Sequence, residues 1–278
     1  MREAGFAQNS GRWGLTLSVA LSFGWAGACQ KASKKVCDWK DSKGLNIAGW
    51  TGENLNDKEL SLIFLKGPSE VTREIGTFLD DEGIQASFFV QGAAVEAYEK
   101  NLEEMAAEGG GHLIGNGGYR FRNLTEAKEP VLELRTTDAL ISPLIFDDKF
   151  LFYAPEKSFN QSIATQLKHN GLGKYVGPIK DDTTPSETFR YDEDCWAQGI
   201  KPAACAQQYE AEIRRLGRGI IALHDTDPQT LELLKLLLPN IKDAGFSFKR
   251  LDQLANISAV LPLQGGDSGA HVKSCQDY

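Results

Sequence analysis

Hydrophobic and polar positions along the chain follow two periods, one typical of buried strands and the other of amphipathic helices. Residues 59–64 form an almost continuous apolar run, which predicts a strand buried on both faces. Apolar residues then recur at helical spacing from Ser69, a residue type that can cap a helix, to Gly83. The two patterns continue to alternate, with predicted strands at 86–90, 112–115, 150–153, 175–179, 219–223 and 246–251, and predicted helices at 93–107, 158–169, 203–216, 228–244 and from residue 125.

This alternation over roughly 200 residues predicts repeated βα units and a parallel sheet, and therefore an α/β fold. Residues 180–200 are predicted to form a long loop, and the tail after residue 257 to be loosely ordered. The composition, with 41% hydrophobic and 24% charged residues, excludes a disordered chain. A net charge of −8 disfavours nucleic acid and anionic membrane surfaces as partners.

Residues 1–28 have the pattern of an export signal. A positively charged start precedes an apolar stretch at residues 13–25, and Ala26-Gly27-Ala28 forms a small-x-small cleavage pattern. Cys29 follows directly, as in the box of bacterial lipoproteins, where this cysteine carries the lipid. Two outcomes stay open: a lipoprotein anchored to the membrane through Cys29, or a soluble exported protein. Both predict a location in the periplasm or the cell envelope.

Cysteine usage agrees with an exported protein. The chain has five cysteines, namely Cys29, Cys37, Cys195, Cys205 and Cys275. If Cys29 is lipidated, an even number remains, which suits an oxidising compartment. Cys195 and Cys205 are close enough in sequence to close one loop, which leaves Cys37 to pair with Cys275; free thiols are the alternative. The sequence lacks the CxxC spacing of a zinc site or a redox pair.

Several segments, in this order, resemble the polysaccharide deacetylase family, the nodulation-protein-B homology domain of carbohydrate esterase family four. They include Phe64-x-x-Gly67-Pro68-Ser69, Gly111-His112-x-Ile114-Gly115-Asn116 and Leu223-His224-Asp225. The resemblance implies a deformed (β/α) barrel of about seven parallel strands with its site at the C-terminal strand ends. It divides the chain into a signal peptide (1–28), an N-terminal lead (29–56), the barrel (57–255) and a C-terminal tail (256–278).

The resemblance also shows which catalytic groups have changed. The family uses an Asp-Asp pair as catalytic base and metal ligand, and two histidines complete the site, whose metal activates a water. In this chain Leu65 stands at the base position and Lys66 at the position of the metal-binding aspartate. Gly117 and Phe121 stand at the histidine positions. The sequence therefore predicts no metal ligands, no cofactor and no hydrolysis by the family mechanism.

Part of the family site is retained. His224 stands at the general-acid position, and the resemblance makes Asp194, or Asp192, the aspartate that tunes it. The candidate substrate-binding residues are Lys66, Tyr153 (at the position of the family's third-motif arginine), Trp196 and His224. Structural roles are the alternatives: His224 satisfied by a carboxylate, and Trp196 packed in the core. Lys66 either pairs with Asp194 or another acid, or points outward to bind an anionic or acetylated sugar.

Two functions from different classes follow. The first is an exported pseudoenzyme that binds a cell-wall glycan or an envelope protein, with membrane contact only through a lipid on Cys29. The second is a hydrolase of acetylated polysaccharide or peptidoglycan, with metal-independent acid–base chemistry around His224. A purely structural exported domain is the remaining alternative.

Overall fold

The structure is a computed structural model that describes residues 36–38, 43–106, 111–261 and 274–276 of the 278-residue chain. The predicted signal at residues 1–28 and the candidate lipid site at Cys29 lie outside the described residues. Among the helices within these ranges, none has both the length and the apolar character needed to cross a membrane.

Strands and helices alternate through the described part of the chain. The strands are β1 (Val36–Asp38), β2 (Leu45–Trp50), β3 (Glu59–Leu65), β4 (Ser87–Val90), β5 (Leu113–Asn116), β6 (Leu151–Tyr153), β7 (Val176–Ile179), β8 (Gly219–His224), β9 (Ser247–Phe248) and β10 (Ser274–Gln276). The α-helices are α1 (Thr72–Asp81), α2 (Gly92–Ala106), α3 (Pro130–Ile141), α4 (Gln161–His169), α5 (Asp192–Ala197), α6 (Pro202–Leu216), α7 (Pro228–Asp243) and α8 (Ala255–Ser258).

One curved sheet carries the fold. Its strands lie in the order β2-β7-β6-β5-β4-β3-β8, every neighbouring pair is parallel, and β9 adds to β3. The predicted α/β fold with a deformed barrel of parallel strands is confirmed. Because the strands are parallel, their carboxyl ends meet at one end of the sheet, which we call the mouth.

Strand β3 shows how the apolar runs build two cores. Alternate side chains of a strand point to opposite faces. Leu60, Leu62 and Phe64 pack into the core beneath the helices, whereas Ile63 and Leu65 pack into the interior of the barrel. All five side chains are buried, which explains why the run is apolar without alternation.

A side chain, rather than a strand ladder, closes the sheet between its edge strands β2 and β8. One carboxylate oxygen of Asp182 accepts hydrogen bonds from the backbone N–H of Gly52, at 2.9 Å, and of Ile220, at 2.7 Å. The backbone N–H of Asp182 donates to the Ile220 carbonyl at 2.9 Å. Burial raises the pKa of Asp182, against the opposing effect of these two backbone donors.

The structure corrects several predicted boundaries. The sheet begins at Leu45, inside the segment predicted as a polar lead, so a barrel starting at residue 57 omits strand β2. Helix α5 lies within the predicted loop at 180–200. Helix α1 begins at Thr72, and its N-cap is Val71 rather than Ser69; the Ser69 hydroxyl accepts from the Val71 N–H at 3.2 Å and donates to the backbone carbonyl of Asp225 at 2.6 Å.

The predicted loop disulfide is confirmed. Cys195 and Cys205 are bonded, with their Cα atoms 6.2 Å apart, and they join α5 to α6. The short strands β1 and β10 pair antiparallel, and their backbone register places Cys37 opposite Cys275. A bond between these two cysteines stays a prediction.

The Cys195–Cys205 bond is expected to stabilise the fold through the unfolded chain. Replacing both cysteines by alanine should lower the free energy of unfolding by about 2–3 kcal/mol, since the bond closes a loop with a sequence separation of 10. Urea unfolding measures the loss, and peptide mapping without reductant identifies the bond. A double variant as stable as the wild type would contradict this expectation.

Candidate functional site

The strand ends bring most of the predicted site residues together at the mouth. Lys66 directly follows β3, Tyr153 ends β6 and His224 ends β8. The parallel register of β3 and β8 places Leu65 opposite His224. Helix α5 contributes further side chains from above β8, because its first turn packs against that strand.

Lys66 forms an ion pair that sequence reasoning did not specify. Its Nζ lies 2.5 Å from Oε2 of Glu193, and the two side chains are 35% and 36% exposed. The same ammonium lies 5.7 Å from the centre of the Phe121 ring, and that ring stacks on Tyr153 with 6.0 Å between centres. Glu193, rather than Asp194, is therefore the acid that pairs with Lys66.

The backbone of this cluster is held in an unusual conformation. Lys66 has a φ of 70° and Phe121 a φ of 50°, both in the left-handed region that non-glycine residues seldom adopt. Beside Lys66, the Gly67 N–H donates to Asp225 at 3.1 Å, and a Cβ at Gly67 would lie 1.9 Å from the Asp225 carboxylate. The close packing of Gly67 on Asp225 thus constrains the backbone next to Lys66.

His224 is held by Asp192, which corrects the assignment of Asp194. Its Nδ1 lies 2.7 Å from Oδ1 of Asp192, and its backbone N–H donates to Oδ2 at 2.9 Å. The hydroxyl of Thr230 also donates to Oδ2, at 2.7 Å. Successive residues of a helix point about 100° apart, so the three neighbouring acids at the start of α5 point in different directions, and Asp192 is the one that reaches Nδ1 of His224.

The surroundings of His224 favour its protonated form. Burial alone lowers the pKa of this imidazole, but the hydrogen bond and charge of Asp192, together with the charge of Glu193, outweigh burial and raise it. Oε1 of Glu193 lies 3.5 Å from Nε2 of the ring. Asp192 thus orients one ring nitrogen, and the other faces Glu193.

Tyr153 belongs to a buried network around a residue that sequence reasoning missed, Asp181. The Asp181 carboxylate accepts hydrogen bonds from Tyr153 at 3.3 Å, Tyr191 at 2.7 Å and Thr183 at 2.8 Å. Burial, followed by the charge of Asp181, raises the pKa of both tyrosine hydroxyls, so both remain donors. The Tyr153 hydroxyl is thus committed to Asp181, and its ring supports Phe121.

Trp196 contacts Thr230 and the core beneath the helices. Its indole Nε1 donates to the Thr230 hydroxyl at 3.3 Å, and its ring packs against the core beneath the helices. Since the Thr230 hydroxyl donates in turn to Asp192, the tryptophan helps to position the aspartate that binds His224. These contacts favour the packing role for Trp196 over a direct role in ligand binding.

The groups at the expected metal position do not fit a divalent cation. Leu65 is buried among apolar side chains, the Lys66 ammonium has no lone pair to donate, and Phe121 offers only a ring. A Cβ at Gly117 would lie 2.9 Å from the carbonyl oxygens of Phe89 and Val90, so the backbone leaves no room for a side chain there. Within residues 43–106 and 111–261, no three His, Cys, Asp or Glu side chains are grouped to hold a metal.

Two missed residues differ in how visible they were in the sequence. Asp181 lies two residues beyond the strand β7, and polar residues at the carboxyl ends of parallel strands are candidates for a site. Glu193 gave no comparable signal. Its role depends on the rotational phase of a short helix within a segment predicted as loop.

Together, the parallel sheet and the ionic cluster at its C-terminal end define a (β/α)-barrel protein whose candidate site lies at the mouth. A sequence model described as polysaccharide deacetylase matches residues 52–174. The chain is 25% identical over 202 residues to the peptidoglycan-N-acetylglucosamine deacetylase of Bacillus cereus, covering 70% of each protein. It is 25% identical to the chitooligosaccharide deacetylase of Rhizobium leguminosarum bv. trifolii, covering 71% of this chain and 92% of that protein. The polysaccharide deacetylase model and these relatives agree with the family that the motifs of the chain resemble.

Solved structures agree on the fold. The crystal structure of the peptidoglycan N-acetylglucosamine deacetylase Bc1960 matches with a TM-score of 0.59 and 19% identity, over 74% of this chain and 91% of that chain. The structure of BA3943, a CE4 family pseudoenzyme from Bacillus anthracis, matches with a TM-score of 0.55 and 19% identity, over 72% of this chain and 66% of that chain. The same barrel is thus found in a deacetylase and in a pseudoenzyme.

Proposed function

We propose that this protein is an exported, non-hydrolytic member of its family that binds a cell-wall glycan. The family and the named substrates of its relatives, peptidoglycan and chitooligosaccharide, support the class of ligand. The observation that carries the loss of hydrolysis is Lys66, which stands at the position of the metal-binding aspartate and forms an ion pair with Glu193. Export rests on the signal pattern at residues 1–28.

Metal-assisted deacetylation needs a cation that polarises the carbonyl oxygen and a base that removes a proton from water. A charged ammonium repels a divalent cation, and Leu65 cannot accept a proton. The retained His224–Asp192 pair can hold and orient a proton. It has no partner in this cluster that generates a nucleophile.

Glycan binding is supported by what remains accessible at the mouth. The side chains of Lys66 and Glu193 are about one third exposed, and the half-buried Phe121 ring lies beside them. Charged groups next to an aromatic face are a common way to bind a polar ligand with apolar faces. An envelope protein as partner is the competing form of this proposal.

The proposal predicts binding without turnover. Titration calorimetry with Zn²⁺ should show no stoichiometric binding, and chitotetraose and purified peptidoglycan should release no acetate in the presence of the metal. The same protein should be retained on insoluble peptidoglycan or bind chitotetraose. Stoichiometric zinc with chelator-sensitive acetate release would overturn the loss of hydrolysis, and absence of binding to both glycans would overturn the glycan role.

A metal-independent hydrolase is the second candidate, and the hydrogen bond between His224 and Asp192 is the observation that favours it. The acetate assay separates it from the first. Acetate release that resists chelator and is lost in His224→Gln would establish this alternative.

A further inference from the structure

Glu193 lies between two groups that can each bind its carboxylate. Oε2 contacts the Lys66 ammonium at 2.5 Å, and Oε1 lies 3.5 Å from Nε2 of His224. These are its only side-chain partners among the described residues. The side chain is 36% exposed, so it can turn away from Lys66 without a cavity being opened in the core.

The geometry points to a carboxylated glycan as the ligand class of this mouth, bound through Lys66 in exchange for Glu193. This inference rests on the proposed glycan-binding function and names the chemistry of its ligand. Glu193 acts as an internal substitute that neutralises Lys66 while the mouth is empty. A uronic acid carboxylate arriving from solvent takes the same position on the ammonium.

Three features of the site support an exchange of carboxylates. The Lys66 ammonium already binds one carboxylate at short distance, so the space beside it has the size and charge that a carboxylate needs. The left-handed backbone at Lys66 and the packing of Gly67 on Asp225 do not involve Glu193, so the backbone that carries the lysine is held by contacts that an exchange of carboxylates leaves in place. When Glu193 is displaced, Nε2 of His224 offers it a second position.

The Phe121 ring adds a surface for the sugar itself. It lies beside the ammonium and is supported from behind by Tyr153, with 6.0 Å between the ring centres. A neutral glycan can use this ring but gains nothing from Lys66 while Glu193 remains bound. A carboxylated glycan gains both contacts.

The test compares tetragalacturonate with chitotetraose by titration calorimetry at fixed ionic strength. Glu193→Gln removes the competing charge and should tighten tetragalacturonate binding about fivefold, the worth of a partly exposed ion pair. Lys66→Met should weaken it about tenfold. Asp194→Asn is the matched control, because it removes the same charge from the next residue of α5, and it should change the affinity less than about twofold.

Three outcomes would overturn the inference. These are a tetragalacturonate affinity that stays the same in Glu193→Gln, a tetragalacturonate affinity that rises equally in Asp194→Asn, and a chitotetraose affinity that rises as much in Glu193→Gln. If chitotetraose or peptidoglycan binds while tetragalacturonate binds no variant, the carboxylate inference fails and the glycan-binding function stands. If no glycan binds at all, both fail. Thermal melting of each variant confirms that it is folded.

Discussion

Replacing Asp192 by alanine is expected to lower the free energy of unfolding by about 3–5 kcal/mol. The carboxylate is fully buried and accepts hydrogen bonds from Nδ1 and the backbone N–H of His224, and from the Thr230 hydroxyl. Alanine leaves all three donors buried without their acceptor, and each such donor costs about 1–3 kcal/mol. Urea unfolding followed by circular dichroism measures the change.

Asp194→Ala provides the matched comparison, two residues further along the same helix. Asp194 is partly exposed and bonds to neither His224 nor Thr230 among the described contacts. Its replacement should change stability by less than about 0.5 kcal/mol. Equal losses in the two variants would contradict the assignment of Asp192 as the partner of His224.

The second large effect concerns Asp225 and depends on pH. Its buried carboxyl accepts hydrogen bonds from the Gly67 N–H, at 3.1 Å, and from the Thr72 hydroxyl, at 2.6 Å. Burial outweighs these bonds and raises the pKa of Asp225 from 3.8 to about 6. The folded state therefore binds the proton more tightly than the unfolded chain, and this contribution to stability is lost as the pH rises from about 3.8 to 6.

Asp225→Asn removes this titration. The stability of the wild type relative to the variant should fall by about 3 kcal/mol between pH 3.5 and pH 7.5. Urea unfolding of both proteins across this range gives the difference. Asp243→Asn, which changes an exposed carboxylate at the end of α7, should show no such dependence. A wild-type-minus-variant difference that stays constant with pH, or rises with it, would contradict the argument.

The sequence pattern predicted most of the sheet because most strands are buried apolar runs. Strands β3 to β8 were each located to within a residue or two. Strand β2 was missed because it is an edge strand with the sequence LNIAGW, and its middle residues are exposed. Helix α5 was missed because six residues with three acids resemble a loop in composition.

The part of the site that lies at strand ends could be predicted, because the strands themselves could be predicted. Lys66, Tyr153 and His224 follow from strand ends, and the structure places all three at the mouth. The acids of α5 could not be assigned in the same way, because they depend on which direction each residue of a short helix points. The sequence left both Asp192 and Asp194 as candidate partners of His224. In the structure, the directions of the α5 side chains bring Asp192 to His224 and Glu193 to Lys66.

The closure of the barrel by Asp182 has a consequence for the mouth. A ladder of backbone bonds distributes its strength over many residues, whereas here the Asp182 carboxylate joins Gly52 to strand β8, with one backbone bond from Asp182 to Ile220 beside it. The preceding residue, Asp181, anchors the aromatic wall formed by Tyr153 and Tyr191. The contacts that close the barrel and those that hold the two tyrosines are thus joined by the peptide bond between Asp181 and Asp182. A change that breaks the Asp182 contacts would therefore also shift Tyr153 and the Phe121 ring that stacks on it.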